Sequence, residues 1–281
     1  MKVSFVGIGL MNGSLSLDLQ QMYPDVVLEG ISRKAATIDR ALELGLIHQK
    51  GNIDDLQDAD WVFVSIPVEA IANQLPKILD VVGKQTLVVD FGSTKSAICE
   101  AVKNHPNRQQ FLAAHPIAGT EYSGPDAAIP NLYKNKTIML CEAAKTHPEF
   151  LVRAKNLFAQ LEMHVREMNP IAHDKHIAYV SHLSHITSFM LGKTVLEKET
   201  DEQNIFDMAG SGFASTVRLA KSSPEMWMPI FAQNKQNVLE TLEEYILNMN
   251  EFKEKLAANA HEELLAEMKN INRIKTILKH K

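Results

Sequence analysis

Seven short apolar segments lie at 3–8, 26–31, 61–66, 86–90, 111–114, 136–141 and 163–168, and amphipathic stretches such as 34–44, 68–79 and 148–161 separate several of them. No other feature constrains the fold as strongly. Most of the segments are rich in β-branched residues and bounded by Gly, Pro or Asp, the pattern of strands buried on both faces. A helix-length segment between two such strands returns the chain to the same end of a sheet. The alternation therefore predicts a doubly wound, largely parallel sheet with helices on both faces.

After Asn169-Pro170 the pattern changes. Leu, Ile and Met recur at three and four, and no convincing strand follows. Pro170 suits a helix first turn and Asn169 its cap. Helices are expected at 170–198, 214–221, 225–250 and 252–278. The expected architecture is an α/β Rossmann-type domain, 1–168, followed by an all-α domain, 169–281. The apolar content of the second exceeds what one thin layer needs, which predicts subunit association.

With 281 residues, 45% hydrophobic and 22% charged, the chain has room for two domains. The formal charge of −5 argues against nucleic acid or an anionic membrane as a partner, so an anionic ligand must be met by local cations. Cys99 and Cys141 are the only cysteines, which supports neither a disulfide framework nor a cysteine zinc site and fits a reducing cytoplasm. Met1-Lys2 before apolar residues resembles a signal peptide, but Gly7, Gly9, Gly13 and Asp18 fit a strand and turn better. No apolar run is long enough to cross a membrane.

The first strand runs into Val6-Gly7-Ile8-Gly9-Leu10-Met11-Asn12-Gly13. Gly7 permits a tight turn, Gly9 allows the backbone to approach a pyrophosphate, and the helix beginning at Leu10 and Met11 offers free N–H groups and a positive dipole end. Asn12 stands at the third glycine position of the dinucleotide fingerprint, with Gly13 after it. At the end of the second strand, Ser32-Arg33-Lys34 replaces the acid that binds a ribose diol. A neutral side chain followed by two cations suits a 2′-phosphate, so NADP is expected ahead of NAD. The alternative is that Arg33 and Lys34 are merely solvated. Glu29 is expected to face away.

Asp90-Phe91-Gly92-Ser93-Thr94-Lys95 and His115 both leave strands at the edge where doubly wound sheets bind ligands. Ser93 fits a helix cap as well as a catalytic hydroxyl, and His115 alone fits a structural role as well as a catalytic one. In the helical part, His182 and His185 lie three apart on one helix face, and His173 and His176 repeat the spacing. No further ligand is clearly arranged with them, so polar residues facing a cleft are favoured over a metal site. Arg218 follows a glycine loop and is a natural carboxylate anchor, with a surface ion pair as the alternative. Trp227, Met226 and Met228 are expected in the core.

These segments together resemble the prephenate/arogenate dehydrogenases of tyrosine biosynthesis over nearly the whole chain. The matching motifs are the N-terminal glycine turn, Asp90–Lys95, His115–Glu121 with Gly124, Ser181–His185, and Gly210–Arg218 followed by Pro224–Trp227. The resemblance implies a cytoplasmic homodimer that oxidatively decarboxylates prephenate to 4-hydroxyphenylpyruvate. Arogenate as substrate, and more remotely a non-catalytic dinucleotide sensor, are the alternatives. It further implies that His115 accepts the substrate hydroxyl proton, with Ser93 bonded to that hydroxyl or to His115. Arg218 would hold a substrate carboxylate, His185 with His182 the other end, and Glu121 would form an ionic gate near the arginine. Cofactor contacts would come from Gly7, Gly9, Leu10, Met11, Ser32 and Arg33.

The chain departs from the family pattern at four of these places. Ser215 stands where some relatives carry an Asp that pairs with the arginine, which predicts a weaker or absent gate. Ser184 replaces a common proline, Asn12 a glycine, and Ser32 the acid of NAD-specific members. The end near 281 leaves no room for a fused regulatory domain, so feedback by tyrosine is expected only at the active site.

Overall fold

A computed structural model describes residues 1–202 and 204–278. Met1–Lys235 form one compact unit and Gln236–Lys281 a second. The first unit contains an eight-stranded sheet. Its strands are β1 (Lys2–Val6), β2 (Val27–Ile31), β3 (Gln49–Lys50), β4 (Trp61–Val64), β5 (Leu87–Asp90), β6 (Phe111–Pro116), β7 (Thr137–Cys141) and β8 (His164–Met168). The spatial order is β3-β2-β1-β4-β5-β6-β7-β8, with β1 to β6 parallel, β7 antiparallel to β6, and β8 parallel to β7. Strand order reverses between β1 and β4, the place where open α/β sheets bind ligands.

The unbroken apolar runs reflect burial on both faces. Trp61 and Phe63 enter one core cluster with Leu87, Val89, Leu112 and Ala114, while Val62, Val64, Val88, Phe111 and Ala113 enter the cluster on the opposite face. That division follows the two-residue period of a strand. The sequence pattern identifies seven of the eight strands. It misses β3 because Gln49 and Lys50 are exposed polar residues on the sheet edge and carry no apolar signal.

Helices flank the strands: α1 (Leu10–Met22), α2 (Ala35–Glu43), α3 (Val68–Val81), α4 (Ser96–Ala101) and α5 (Pro148–Gln160). After β8, α6 (Pro170–Ile177) starts with the predicted cap, Asn169 accepting from the Ile171 and Ala172 N–H groups at 2.8 and 3.4 Å. The expected helix 170–198 is interrupted by a widened turn at Ala178–His182 before α7 (Leu183–Glu202). The first unit then contains α8 (Ser211–Thr216), a tight turn at Arg218–Lys221, and α9 (Pro224–Gln233). The continuous helix expected over 225–250 does not form. The break falls at Asn234, whose backbone leaves helical geometry while its side chain donates to the Asp174 carbonyl at 2.7 Å.

The second unit is helical, comprising most of α10 (Lys235–Ala257), then α11 (His261–Ile271) and α12 (Ile274–Ile277). Helix 252–278 is therefore also divided. Asn259 takes a left-handed conformation (φ 54°) where α10 ends, one that Asn tolerates better than most residues. No described helix is long and apolar enough to cross a membrane.

Candidate active site

The turn between β1 and α1 is dictated by its glycines. Gly7 sits at φ +87°, and a Cβ there would lie 2.4 Å from the Ser65 carbonyl oxygen. Its N–H donates to the Ile31 carbonyl at 2.8 Å, joining the ends of β1 and β2. Asn12 is buried and donates to the Gly7 and Phe63 carbonyls at 2.7 and 3.1 Å, so it ties the turn to β4. The close-packing role of the third glycine falls to Gly13, where a Cβ would meet Ala128 Cβ at 2.8 Å. Helix α1 begins with no side-chain cap and no acid in its first turn, leaving the amides of Leu10 and Met11 without helical partners. A Cβ on Gly9 would find nothing closer than 3.9 Å, so the backbone there is open to approach. These features fit the pyrophosphate of a dinucleotide.

At the end of β2, Ser32 Oγ accepts from the Lys34 N–H at 3.2 Å, and Arg33 and Lys34 are exposed. Glu29, the acid within β2, accepts from Ser4 at 3.1 Å and pairs with Lys2 at 3.0 Å. It is 6% exposed, so its carboxylate is satisfied inside the sheet.

The ring of His115 leaves β6 half-buried, and its Nδ1 lies 2.9 Å from Nε2 of His173 on α6. His173 Nδ1 in turn lies 2.9 Å from Asp174 Oδ1. The Asp174 carboxylate also accepts from the Lys95 and Ser96 amides at 2.7 and 2.8 Å, capping α4 across the fold. Beneath them, the fully buried Lys95 pairs with Asp90 and donates to the Ala114 carbonyl at 2.7 Å, which anchors the backbone next to His115. Burial, reinforced by His173, Lys95 and His182, holds the His115 imidazole well below the ordinary histidine range. Burial alone would raise the Asp174 carboxyl, but hydrogen bonds from His173, Ser96 and Lys95 hold it below the usual range. His115 is thus neutral beside an ionised carboxylate.

Ser93 is half-buried in the loop from β5 to α4. It does not cap α4, because Asp174 occupies those amides. Nor is it bonded to His115, whose Nδ1 is engaged by His173. Its hydroxyl is therefore available to a ligand.

Arg218 pairs with Glu121 at 2.7 Å, bringing together two residues 97 positions apart. The turn bearing Arg218 is held by Ser188 of α7, which donates to the Thr216 carbonyl and accepts from the Ala220 amide, both at 3.0 Å. His185 stacks on Trp227 with ring centroids 3.6 Å apart and donates from Nδ1 to the Ser181 carbonyl at 2.9 Å, which leaves Nε2 as an acceptor. His182 is 1% exposed, and burial lowers it to about 4. Its Nδ1 lies 3.2 Å from the Asn234 side chain. Trp227 is buried as expected, but Met226 and Met228 are 37% and 61% exposed and leave the predicted core. Both ring nitrogens of His173 are engaged by protein groups, which removes it from any metal site. Among the described residues, no group of three or more His, Cys, Asp or Glu could hold a metal.

Two family models match the chain. Residues 15–167 match the prephenate dehydrogenase nucleotide-binding domain, and residues 169–270 the prephenate dehydrogenase dimerization domain. The chain belongs to the prephenate dehydrogenase family. It is 30% identical to the prephenate dehydrogenase of Bacillus subtilis over 255 residues, covering 89% of this chain and 69% of that protein. The prephenate dehydrogenase of A. aeolicus, solved with hydroxyphenyl propionate and NAD+, superposes with a TM-score of 0.87 at 30% identity, covering 99% of this chain and 98% of that one. Synechocystis arogenate dehydrogenase gives a TM-score of 0.76 at 28% identity, covering 98% and 100%.

Within this family of NAD(P)-linked dehydrogenases, the departures acquire structural readings. Ser215 is exposed, yet Arg218 is paired, because Glu121 supplies the carboxylate. Ser184 takes the proline position and donates to the Val180 carbonyl at 3.3 Å. Asp174, Ser188 and Asn234 escape sequence reasoning, and His173, expected as a cleft-facing polar residue ahead of a metal ligand, is instead buried between His115 and Asp174. His173-Asp174 in the first turns after an Asn-Pro cap is the one local signal, and histidine spacing alone does not reveal the row.

Proposed function

We propose that this chain is a prephenate dehydrogenase that favours NADP and works as a cytoplasmic homodimer, with its nucleotide-binding domain spanning 1–168 and its substrate and dimerisation domain 169–281. The observation that carries the reading is the neutral His115 at the exit of β6, its Nδ1 engaged and its Nε2 left to accept a proton. Gly7, Gly9, Leu10 and Met11 would hold the pyrophosphate, and Ser32 with Arg33 the adenosine ribose phosphate. When bound, the nicotinamide supplies the acceptor for the hydride lost from the hydroxyl-bearing ring carbon.

His115 Nε2 takes the proton of that hydroxyl as the carbonyl forms, and Ser93 donates to the same oxygen. The bond from the ring to its carboxylate then breaks. Its electron pair enters the ring and reaches the carbonyl oxygen, which regains the proton from His115 as the phenol, carbon dioxide leaves, and aromatisation drives the step. Arg218 exchanges its Glu121 partner for a substrate carboxylate, a bidentate pairing that guanidinium geometry favours. His185 binds the other end, while His182, expected from sequence to share that role, is buried against the same Trp227 ring and supports it from behind. Exposed apolar side chains on α7, α9 and α10, including Leu196, Met228 and Leu247, support association with a second copy.

Steady-state assays with prephenate and arogenate, each with NADP+ and NAD+, test the proposal. Reduction of NADP+ by prephenate with release of carbon dioxide is the expected result. Activity with arogenate alone would transfer the assignment to that substrate, and activity with neither would overturn it. Light scattering should give twice the 31.4 kDa chain mass, and a monomeric value contradicts the dimer.

A further inference from the structure

We propose that His173 and Asp174 are positioning residues that lock His115 into the tautomer able to accept a proton. The inference rests on the reading of His115 as proton acceptor but concerns how the rest of the chain prepares it. Hydrogen-bond polarity along the row runs one way. An ionised carboxylate can only accept, so the His173 Nδ1 facing Asp174 at 2.9 Å carries the hydrogen. Continued in the same sense, the row has the His173 Nε2 accepting from the His115 Nδ1 2.9 Å away. The lone pair of His115 is thereby placed on Nε2. A ring nitrogen facing a substrate hydroxyl can take its proton only in that tautomer, and a second partner commonly sets which nitrogen is protonated.

The row is fixed at both ends. Asp174 is held by the Lys95 and Ser96 amides at 2.7 and 2.8 Å, so its carboxylate cannot rotate away without uncapping α4. Asn234 donates to the Asp174 carbonyl at 2.7 Å and lies against His182, joining α6 to the end of α9. At the other end, Lys95 holds the Ala114 carbonyl. His173 is 2% exposed, so no water competes for its ring nitrogens. The charged and titratable groups facing His115 are thus His173 from α6, Lys95 ahead of α4 and His182 from the widened turn, with Asp174 behind His173.

The test is nitrogen-15 NMR of histidine-labelled protein, with the His115 resonance assigned from the spectrum of His115→Asn, alongside kinetics of two His173 variants. In the unmodified protein His115 should show a protonated Nδ1 and an unprotonated Nε2. In His173→Leu, which offers no acceptor, the Nε2–H form should appear, and kcat should fall about 10²- to 10⁴-fold with KM for prephenate nearly constant. In His173→Gln the side-chain carbonyl can still accept from His115, so the tautomer should persist and kcat should stay within about tenfold. A protonated Nε2 in the unmodified protein overturns the relay, whether or not any variant folds. Equal loss of kcat in both variants with an unchanged tautomer also overturns it. Absence of prephenate turnover in the unmodified protein defeats the functional reading instead, and the NMR result still decides the relay.

Discussion

The two ends of the site are built from different materials. At the nucleotide end the groups offered to a ligand are backbone amides, displayed by a glycine turn and an uncapped helix start within a dozen consecutive residues. At the chemical end they are side chains, and each is held by a residue from far along the chain: His115 by His173, Asp174 by Lys95 and Ser96, Arg218 by Glu121. A backbone site is set by local conformation and tolerates changes of neighbouring side chains. A side-chain site depends on every member of its network. Mutations at the two ends should therefore separate binding from turnover.

The largest separation is expected for His115→Asn. It should lower kcat with prephenate by about 10²- to 10⁴-fold and barely change KM, because the imidazole matters most in the transition state. Equal losses in both would make His115 a binding residue and erase the distinction between the two ends.

Next comes Arg218→Ala. It should raise KM for prephenate by about tenfold or more while leaving affinity for the nucleotide intact, since a charge-assisted bond to a carboxylate contributes about 1.5–3 kcal/mol. Steady-state kinetics combined with nucleotide titration would show it, and a loss of nucleotide affinity would mean that the two ends are not separable.

The same contrast explains what could be read from sequence. The Gly7–Gly13 turn, the parallel sheet and the Asn169-Pro170 helix start are local, and each residue's conformational preference is visible in its neighbours. A gate formed by Glu121 and Arg218 follows only from the family resemblance, since the two are 97 positions apart, and the structure pairs them at 2.7 Å. His115 and His173 are 58 positions apart, and Lys95 and Asp174 are 79 apart, separations that no periodicity encodes. Ser93 shows the limit from the other side. Its capping alternative was reasonable locally and fails because a distant carboxylate took the amides. The break at Asn234 likewise has a tertiary cause, its bond to Asp174, where helical propensity alone predicted continuity.

Acid should weaken the chemical end first. Burial lowers His115 and His182, the latter to about 4, so below the ordinary value of 6.5 the unfolded chain binds protons that the folded chain refuses. Stability is fully present above about pH 6.5 and declines as pH falls toward the folded values, by on the order of 1.4 kcal/mol per pH unit for each such histidine. Thermal unfolding between pH 7 and 4.5 should show a falling Tm, reduced in slope in His182→Gln. An unchanged slope would remove His182 from the account.

The smallest effect is expected for Ser32→Asp. The carboxylate should repel a 2′-phosphate and accept from a ribose diol, shifting the ratio of kcat/KM for NADP to that for NAD downward by up to about tenfold. An unchanged ratio would mean that Ser32 and Arg33 do not contact the ribose.

The most direct test of the central claim compares two variants by the same pair of measurements, calorimetric affinity for NADP+ and kcat with prephenate. His115→Asn should retain the affinity of the unmodified protein and lose its turnover. Gly7→Ala, which must place a Cβ against the Ser65 carbonyl at φ +87°, should lose affinity, with turnover recovered as nucleotide is raised toward saturation. A His115→Asn enzyme that keeps its turnover, or loses nucleotide affinity in proportion to it, would contradict the assignment of His115 as the proton acceptor.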